Sequence, residues 1–329
     1  MKVLIIRFSS IGDIVLATPV LRTVSQQARA EVHFLTKKSF GSVVKGNPYI
    51  HKLWLLENDL TSIINDLKKE SFDHVIDLHN NLRSWRVRRA LKCPTSHLKK
   101  LNFKKWLLVN FKVDRMPKLS IVDRYLEATS PLKVKSDGEG LDFYIDQADL
   151  DASRQFTTGF GKAPFITLVL GAAHATKQIP DNKLKSFLEK VHIPVVLIGG
   201  PAERELGDQL TSEKIVSAAG RCTIGVSAAL MDRSAMVVTP DTGMMHIAAA
   251  LKKPMISVWG NTVPEFGMYA YYGGEDVMDH RSEVVGLSCR PCSKIGYEKC
   301  PKGHFRCMED QNEEEWVSIV RQQIRDLTN

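Results

Sequence analysis

No apolar run in this sequence approaches the roughly 18 residues that a membrane-spanning helix needs. The opening Val3-Leu4-Ile5-Ile6 is closed at once by Arg7. That is too short for the core of a signal peptide, so the expectation is a protein that stays in the cytoplasm. Glycine is sparse where a dinucleotide fold would need it: Ser9-Ser10-Ile11-Gly12-Asp13 supplies one glycine where G-x-G-x-x-G requires three, which disfavours a nicotinamide enzyme. No D-x-D pair stands in a loop directly after an expected strand, so a divalent ion has no ready holder beside a diphosphate. Internal repeats and low-complexity segments are missing too. Acid is scarce in one stretch: from Arg83 to Lys118, Asp114 stands alone against Arg83, Arg86, Arg88, Arg89, Lys92, Lys99, Lys100, Lys104, Lys105, Lys112, Arg115 and Lys118.

What is present is an ordinary globular composition. The 329 residues are 43% hydrophobic and 25% charged, with a formal net charge of +8. This length fits two domains of about 150 residues each. The basic stretch would attract an anionic partner, such as nucleic acid, acidic head groups or a phosphorylated or carboxylated substrate, unless it is simply a solvated face.

Short apolar or β-branched runs alternate with helical patterns. Strands are expected at Lys2–Ile6, 31–36, Lys52–Leu56, His74–Asp77, 165–170, 195–199, 236–238 and Met255–Trp259, with helices at 60–69 and 83–91 and one opening near Ile14. Strands alternating with helices predict parallel sheets covered on both faces. The pattern restarts after a polar stretch, Tyr144 to Lys162. The division expected is 1–157 and 158–329, two Rossmann-like α/β domains facing across a cleft. The second closes on an amphipathic helix, with Trp316, Ile319, Val320, Ile324 and Leu327 at helical spacing after Glu313-Glu314-Glu315. Ligands of open parallel sheets collect at the carboxyl ends of strands, so the chemistry is sought in the loops there.

Four such loops carry it. Thr239-Pro240-Asp241-Thr242-Gly243-Met244-Met245-His246 runs from a strand into a small-residue helix whose free amides suit phosphate, with Asp241 placed as its N-cap. In Gly171-Ala172-Ala173-His174-Ala175-Thr176-Lys177, the Lys177 ammonium suits a leaving diphosphate and Thr176 a hydroxyl donor. Asp13, which would repel phosphate, suits a general base that takes the proton of an acceptor hydroxyl, the alternative being a helix cap. Gly199-Gly200 would let a nucleotide approach the backbone, with Glu203 or Glu205 accepting from ribose hydroxyls, unless the run is a plain turn.

In their order and spacing these loops resemble the heptosyltransferases of glycosyltransferase family 9. The likeness rests on Arg7 to Pro19, Ala175-Thr176-Lys177, Asp241 to Ala250 and Asp77-Leu78-His79-Asn80-Asn81-Leu82-Arg83, and so spans nearly the whole chain. It implies a GT-B fold and inverting, metal-independent transfer from ADP-heptose to the inner core of lipopolysaccharide. By the resemblance, Asp13 falls on the family's base and Lys177 on its phosphate-neutralising lysine. Thr176, Gly199, Glu205, Cys222, Asp241, Thr242, Gly243 and His246 fall on the donor side, Cys222 standing where a relative has an apolar residue near adenine. Ser10, Gly12, Arg83, Arg86, Lys104 and Lys105 are the candidates for an anionic, lipid-linked acceptor, the basic ones because they are expected in one domain with Asp13. Peripheral contact with the inner membrane follows from such an acceptor.

Four of the six cysteines crowd the C-terminal part: Cys289, Cys292, Cys300 and Cys307, with His304 in the last interval. The spacing is compatible with a structural zinc, the alternative being free or reversibly oxidised thiols. The cluster also resembles a segment of the family's second-heptose enzymes. Two other functions stay open at this point. One is a sugar-nucleotide epimerase of the same architecture; the other is a basic nucleic-acid-binding protein with a zinc ribbon, which would leave the phosphate loops unexplained.

Overall fold

The computed structural model describes residues 1–328 and contains two parallel sheets. Five strands form the first: β1 (Lys2–Ile6), β2 (Glu31–Lys37), β3 (Lys52–Leu56), β4 (His74–Asp77) and β5 (Thr95–His97), in the order β3-β2-β1-β4-β5. The second has six: β6 (Ile166–Val169), β7 (Val195–Ile198), β8 (Ile215–Ser217), β9 (Met236–Pro240), β10 (Met255–Trp259) and β11 (Asp279–Glu283), in the order β11-β10-β9-β6-β7-β8. The central strands are buried along their length because helices cover both faces, which is why they read as continuous apolar runs. In each sheet the chain first builds outward on one side and then crosses to the other. The strand order therefore reverses between β1 and β4 in the first sheet and between β6 and β9 in the second, and parallel sheets bind ligands at such points.

Each unit has its own core. Leu4, Ile6, Phe8, Leu35, Leu67 and Val75 pack together in the first. Ile166, Leu197, Phe187, Met308, Trp316 and Val320 do so in the second, where the indole of Trp316 donates to Ser282 Oγ at 2.7 Å. The closing helix, Glu313–Thr328, packs through Trp316 and Val320, while Leu327 at its end is exposed.

The compact units do not follow a single cut at 157. One comprises 1–101, 118–144 and 271–275; the other comprises 102–117, 145–270 and 276–329. The polar stretch after Tyr144 is structured and belongs to the second unit. It forms the helix Gln147–Arg154, tied to the helix Ile224–Arg233 of the same unit. Arg233 donates to Ser153 Oγ and Thr157 Oγ1, and Thr223 Oγ1 donates to Asp149 at 3.1 Å. The short return 271–275 belongs to the first unit because Gly273, at φ +69°, lets its backbone approach Gly138; a side chain at this position would meet the Gly138 carbonyl, and Gly274 N donates to that same oxygen at 2.8 Å. Among the described residues no helix is long and apolar enough to cross a membrane.

Candidate functional site

In the first unit the candidate residues gather at the carboxyl ends of β1 and β4. The helix after β1 begins at Ile11, not near Ile14, with Ser10 as N-cap; Asp13 is its third residue, and its Oδ2 accepts from Ser10 N at 3.2 Å and Ser10 Oγ at 2.9 Å. Its Oδ1 lies 2.6 Å from an Arg7 guanidinium nitrogen and 3.2 Å from the Tyr125 hydroxyl, which donates to it. Arg7 in turn donates to Ser9 O at 2.8 Å and to Leu78 O at 2.6 Å, so it ties the loop after β1 to the loop after β4. Burial pushes the Asp13 carboxyl up, but the Arg7 cation and the Ser10 bonds outweigh it and hold the carboxyl below its usual range. Burial raises the Tyr125 hydroxyl, which keeps its proton and stays a donor. Asp13 is thus a carboxylate at any working pH, oriented by three residues, with 20% of its side chain open to solvent.

The segment after β4 is a built turn. Asp77 Oδ1 accepts from the amides of His79 and Asn80, Asp77 pairs with Arg88 at 3.0 Å, and Asn81 caps the helix Leu82–Leu91. Arg83 and Arg86 are exposed on that helix, and Ser10 is exposed at the loop tip, whereas Gly12 is buried in its helix. Lys104 and Lys105 do not share the unit of Asp13. They lie on the helix Asn102–Phe111, which joins the second unit by packing Leu108 and Val109 against Val263, Phe266 and Met268.

In the second unit the expected residues converge at the carboxyl edge. Lys177, after β6, and Asp241, after β9, meet across the point where strand order reverses, Nζ to Oδ2 2.6 Å. Thr262, after β10, donates its hydroxyl to the same oxygen at 2.7 Å. The helix Gly243–Ala250 is capped by Thr242, which accepts from Met244 N at 3.2 Å; Asp241 is not the cap, because its carboxylate is turned to Lys177. His246 is buried on the first turn of that helix.

Thr176 is buried and its hydroxyl donates to Tyr297 O at 3.0 Å while accepting from Tyr297 N at 2.8 Å, so in this structure it braces the loop and offers no proton to a ligand. Of the two acids after β7, Glu203 holds the strand ends: it accepts from Gly200 N at 2.8 Å, and side chains added at Gly171 or Gly199 would strike it. Glu205 is exposed and its nearest hydrogen-bond partner is Gln209, one turn along its own helix. Cys222, in the loop after β8, donates to Ala218 O at 3.2 Å, and burial pushes its thiol up to about 11.

A model of glycosyltransferase family 9 (heptosyltransferase) matches residues 60–297. The chain belongs to this family. It is 25% identical to lipopolysaccharide heptosyltransferase 1 of Pseudomonas aeruginosa, over 98% of this chain and 94% of that one. Among solved structures it is similar to the family 9 glycosyl transferase of Veillonella parvula, with a TM-score of 0.77 and 19% identity over 99% of this chain and 97% of that one. It is also similar to the ADP-heptose lipopolysaccharide heptosyltransferase II of E. coli, with a TM-score of 0.76 and 16% identity over 100% of both chains. The fold is GT-B, and as a family 9 glycosyltransferase the chain is an enzyme; the epimerase and nucleic-acid readings are set aside.

The cysteine-rich segment of this family 9 chain braces the loops after β6 and β10. Arg290 donates from Nε to Gly260 O at 2.6 Å and from a terminal nitrogen to Thr262 O at 3.1 Å, and Cys292 N donates to Asn261 O at 3.0 Å. Tyr297 holds Thr176, and its hydroxyl donates to Cys292 O. Burial first, and the neighbouring Cys289 next, push the Cys292 thiol up to about 11; burial takes Cys307 to about 12. As placed, the four sulfurs do not form a compact ligand set. The one group of three ligand atoms within 4.8 Å of one another among the described residues is Glu31, His33 and His51. In that group His33 has no nitrogen lone pair left for a metal. His33 Nδ1 accepts from the Trp54 indole at 3.0 Å, so Nε2 carries the proton and donates to Glu31 at 3.2 Å.

Reading the sequence missed Arg7 and Tyr125 as the partners of Asp13, Thr262 as the partner of Asp241, and Asn261. The last is 2% exposed with neither amide atom hydrogen-bonded among the described residues. Thr262 and Asn261 directly follow β10, and that position was the available signal.

Proposed function

We propose that this enzyme transfers a heptose from ADP-heptose to the inner core of lipopolysaccharide by a single inverting displacement without a metal ion. The observation that carries the reading is the Lys177–Asp241 pair, which puts a cation beside the helix start Thr242-Gly243 at the strand-order reversal of the second sheet. A diphosphate there is met by the ammonium and by backbone amides at the positive end of the helix dipole. Asp241, Thr242, Gly243 and His246 form the donor loop, Glu203 replaces Glu205 as the acid for ribose hydroxyls, and Cys222 stands toward the base.

On the acceptor side, the oxygen of an acceptor hydroxyl forms the new bond to the anomeric carbon. Its proton passes to Asp13, and the bond between that carbon and the diphosphate oxygen breaks to release ADP. Because Asp13 is a weak base held by Arg7 and Tyr125, it takes the proton late, as the new bond forms. Ser10, Arg83 and Arg86 remain the acceptor-side candidates. The test is incubation with ADP-heptose and a heptose-deficient core acceptor, read by mass spectrometry. A product heavier by one heptose, of inverted anomeric configuration and formed in the presence of a chelator, is expected. Transfer that stops with the chelator and returns with a divalent ion would overturn the metal-free mechanism.

A further inference from the structure

The helix Asn102–Phe111 leaves the first half of the sequence to pack on the second unit, and only one side of it is used in doing so. Leu108 is buried, with Val109 and Met116 beside it, against Val263, Phe266 and Met268. The Lys105 ammonium lies 5.7 Å from the centre of the Phe266 ring. Lys112 Nζ fastens the helix end by donating to the carbonyl oxygens of Val109, Cys289 and Pro291. The helix is therefore held firmly, and yet its other side presents large apolar groups to water: Phe103 is 69% exposed, Trp106 50% and Phe111 60%. The three rings form one cluster, Phe103 stacked on Trp106 at 6.0 Å and Trp106 edge-on to Phe111 at 5.1 Å. Val113 follows, also exposed. Lys104, next to Phe103 in the helix, and Arg115, shortly after Phe111 in the chain, are both exposed, with Asp114 the one acid of the segment. The chain on either side adds Lys99, Lys100 and Lys118.

Scattered exposed apolar residues are ordinary, but three touching aromatics on a fixed helix are a patch. Aromatic rings with a polar or water-facing edge, rimmed by lysine and arginine, match the boundary between head groups and acyl chains. There the rings enter the apolar layer and the cations pair with anionic phosphates. We infer that this helix is the docking surface by which the enzyme sits on an anionic phospholipid bilayer, with Phe103, Trp106 and Phe111 inserted and Lys104 and Arg115 at the phosphates. The inference is independent of the donor chemistry proposed above.

The test is co-sedimentation of the full chain with vesicles of phosphatidylcholine alone or with about 30 mole per cent phosphatidylglycerol. Preferential binding to the anionic vesicles is expected. The triple variant Phe103→Ser/Trp106→Ser/Phe111→Ser is expected to lose at least about tenfold in vesicle affinity, and Lys104→Glu/Arg115→Glu to lose the preference for phosphatidylglycerol. Melting temperature and far-ultraviolet circular dichroism in solution should be unchanged in both and certify that the variants fold. Failure of the wild type to bind, equal binding by the triple variant, or binding that requires the saccharide acceptor in the vesicle would overturn the inference. So would a wild-type dimer that the triple variant converts to a monomer, since the patch would then be covered by a second copy.

Discussion

The Lys177 ammonium and the Asp241 carboxylate lie 2.6 Å apart, joining the loops after two adjacent strands at the point where the second sheet reverses its order. Both side chains are largely buried, and Thr262 donates to the same carboxylate oxygen. A buried ion pair contributes little net stability against apolar replacements, whereas removing one partner leaves a buried charge uncompensated. On the proposed function the pair places a cation for the diphosphate, so loss of Lys177 should act on stability and on rate separately.

Lys177→Ala is expected to lower kcat by about 100-fold or more, the scale of losing one donor to developing charge. It should also destabilise the fold by about 3 kcal/mol, because Asp241 keeps a buried charge. Lys177→Ala/Asp241→Asn should recover most of the stability and none of the activity. Denaturant melts alongside initial rates separate the two effects; recovery of activity in the double variant would contradict the assignment of Lys177 to the leaving group.

Glu203 and Glu205 are two residues apart in sequence, yet only Glu203 lies over the strand ends at Gly171 and Gly199. Glu203→Gln is expected to weaken ADP binding about tenfold, the loss of a charge-assisted hydrogen bond. Glu205→Gln should change it less than twofold. Calorimetric titration of ADP into each variant decides between the registers.

Much of the architecture was legible in the residues. Every strand read from an apolar run is present, because a parallel strand covered on both faces must be apolar throughout. The strands that escaped, β5, β8 and β11, are short or polar, such as Asp279–Glu283 at the sheet edge. The candidate residues do stand where a loop directly follows a strand, but their pairings were not legible: that Asp241 prefers Lys177 to capping its helix depends on a contact across 64 positions of sequence. The brace by Arg290, Cys292 and Tyr297 runs largely through the backbone atoms of the loops it holds, which no side-chain motif announces. The segment 102–117 reads as part of the first half, and only the packing of Leu108 and Val109 assigns it elsewhere.

Arg290 binds two carbonyls of the loop that carries Thr262 and also pairs with Glu283 at 2.9 Å. Lysine cannot reproduce that fork. Arg290→Lys is expected to cost about 2 kcal/mol in stability and to lower kcat through Thr262 and Asp241 while leaving vesicle binding intact. An unchanged kcat would show that the brace does not reach the donor loops.

The histidines set the pH response. Burial, then the nearby Arg7 and Lys100 cations, bring His79 down to about 4, and burial lowers His33 and His74. A folded state that binds fewer protons than the unfolded chain is at full advantage above the ordinary histidine value, about 6.5, and loses it as the pH falls toward 4. Glu313, which its lysine and serine contacts bring down to about 2 against burial, acts only below the ordinary glutamate range. Melting temperature should therefore already fall between about pH 6.5 and 4.5. His79→Gln should remove part of that slope, of the order of 2 kcal/mol by about pH 4.5. A flat profile in this window would contradict the burial assigned to these rings.

The central claim is that chemistry on the acceptor is carried by Asp13 and binding of the donor by the second unit. Its most direct test is Asp13→Ala, measured for heptose transfer and for ADP affinity on one preparation. The predicted result is loss of transfer by about 1,000-fold or more, the upper range for a positioned base, with ADP affinity unchanged. Transfer within about tenfold of the wild type would contradict the account.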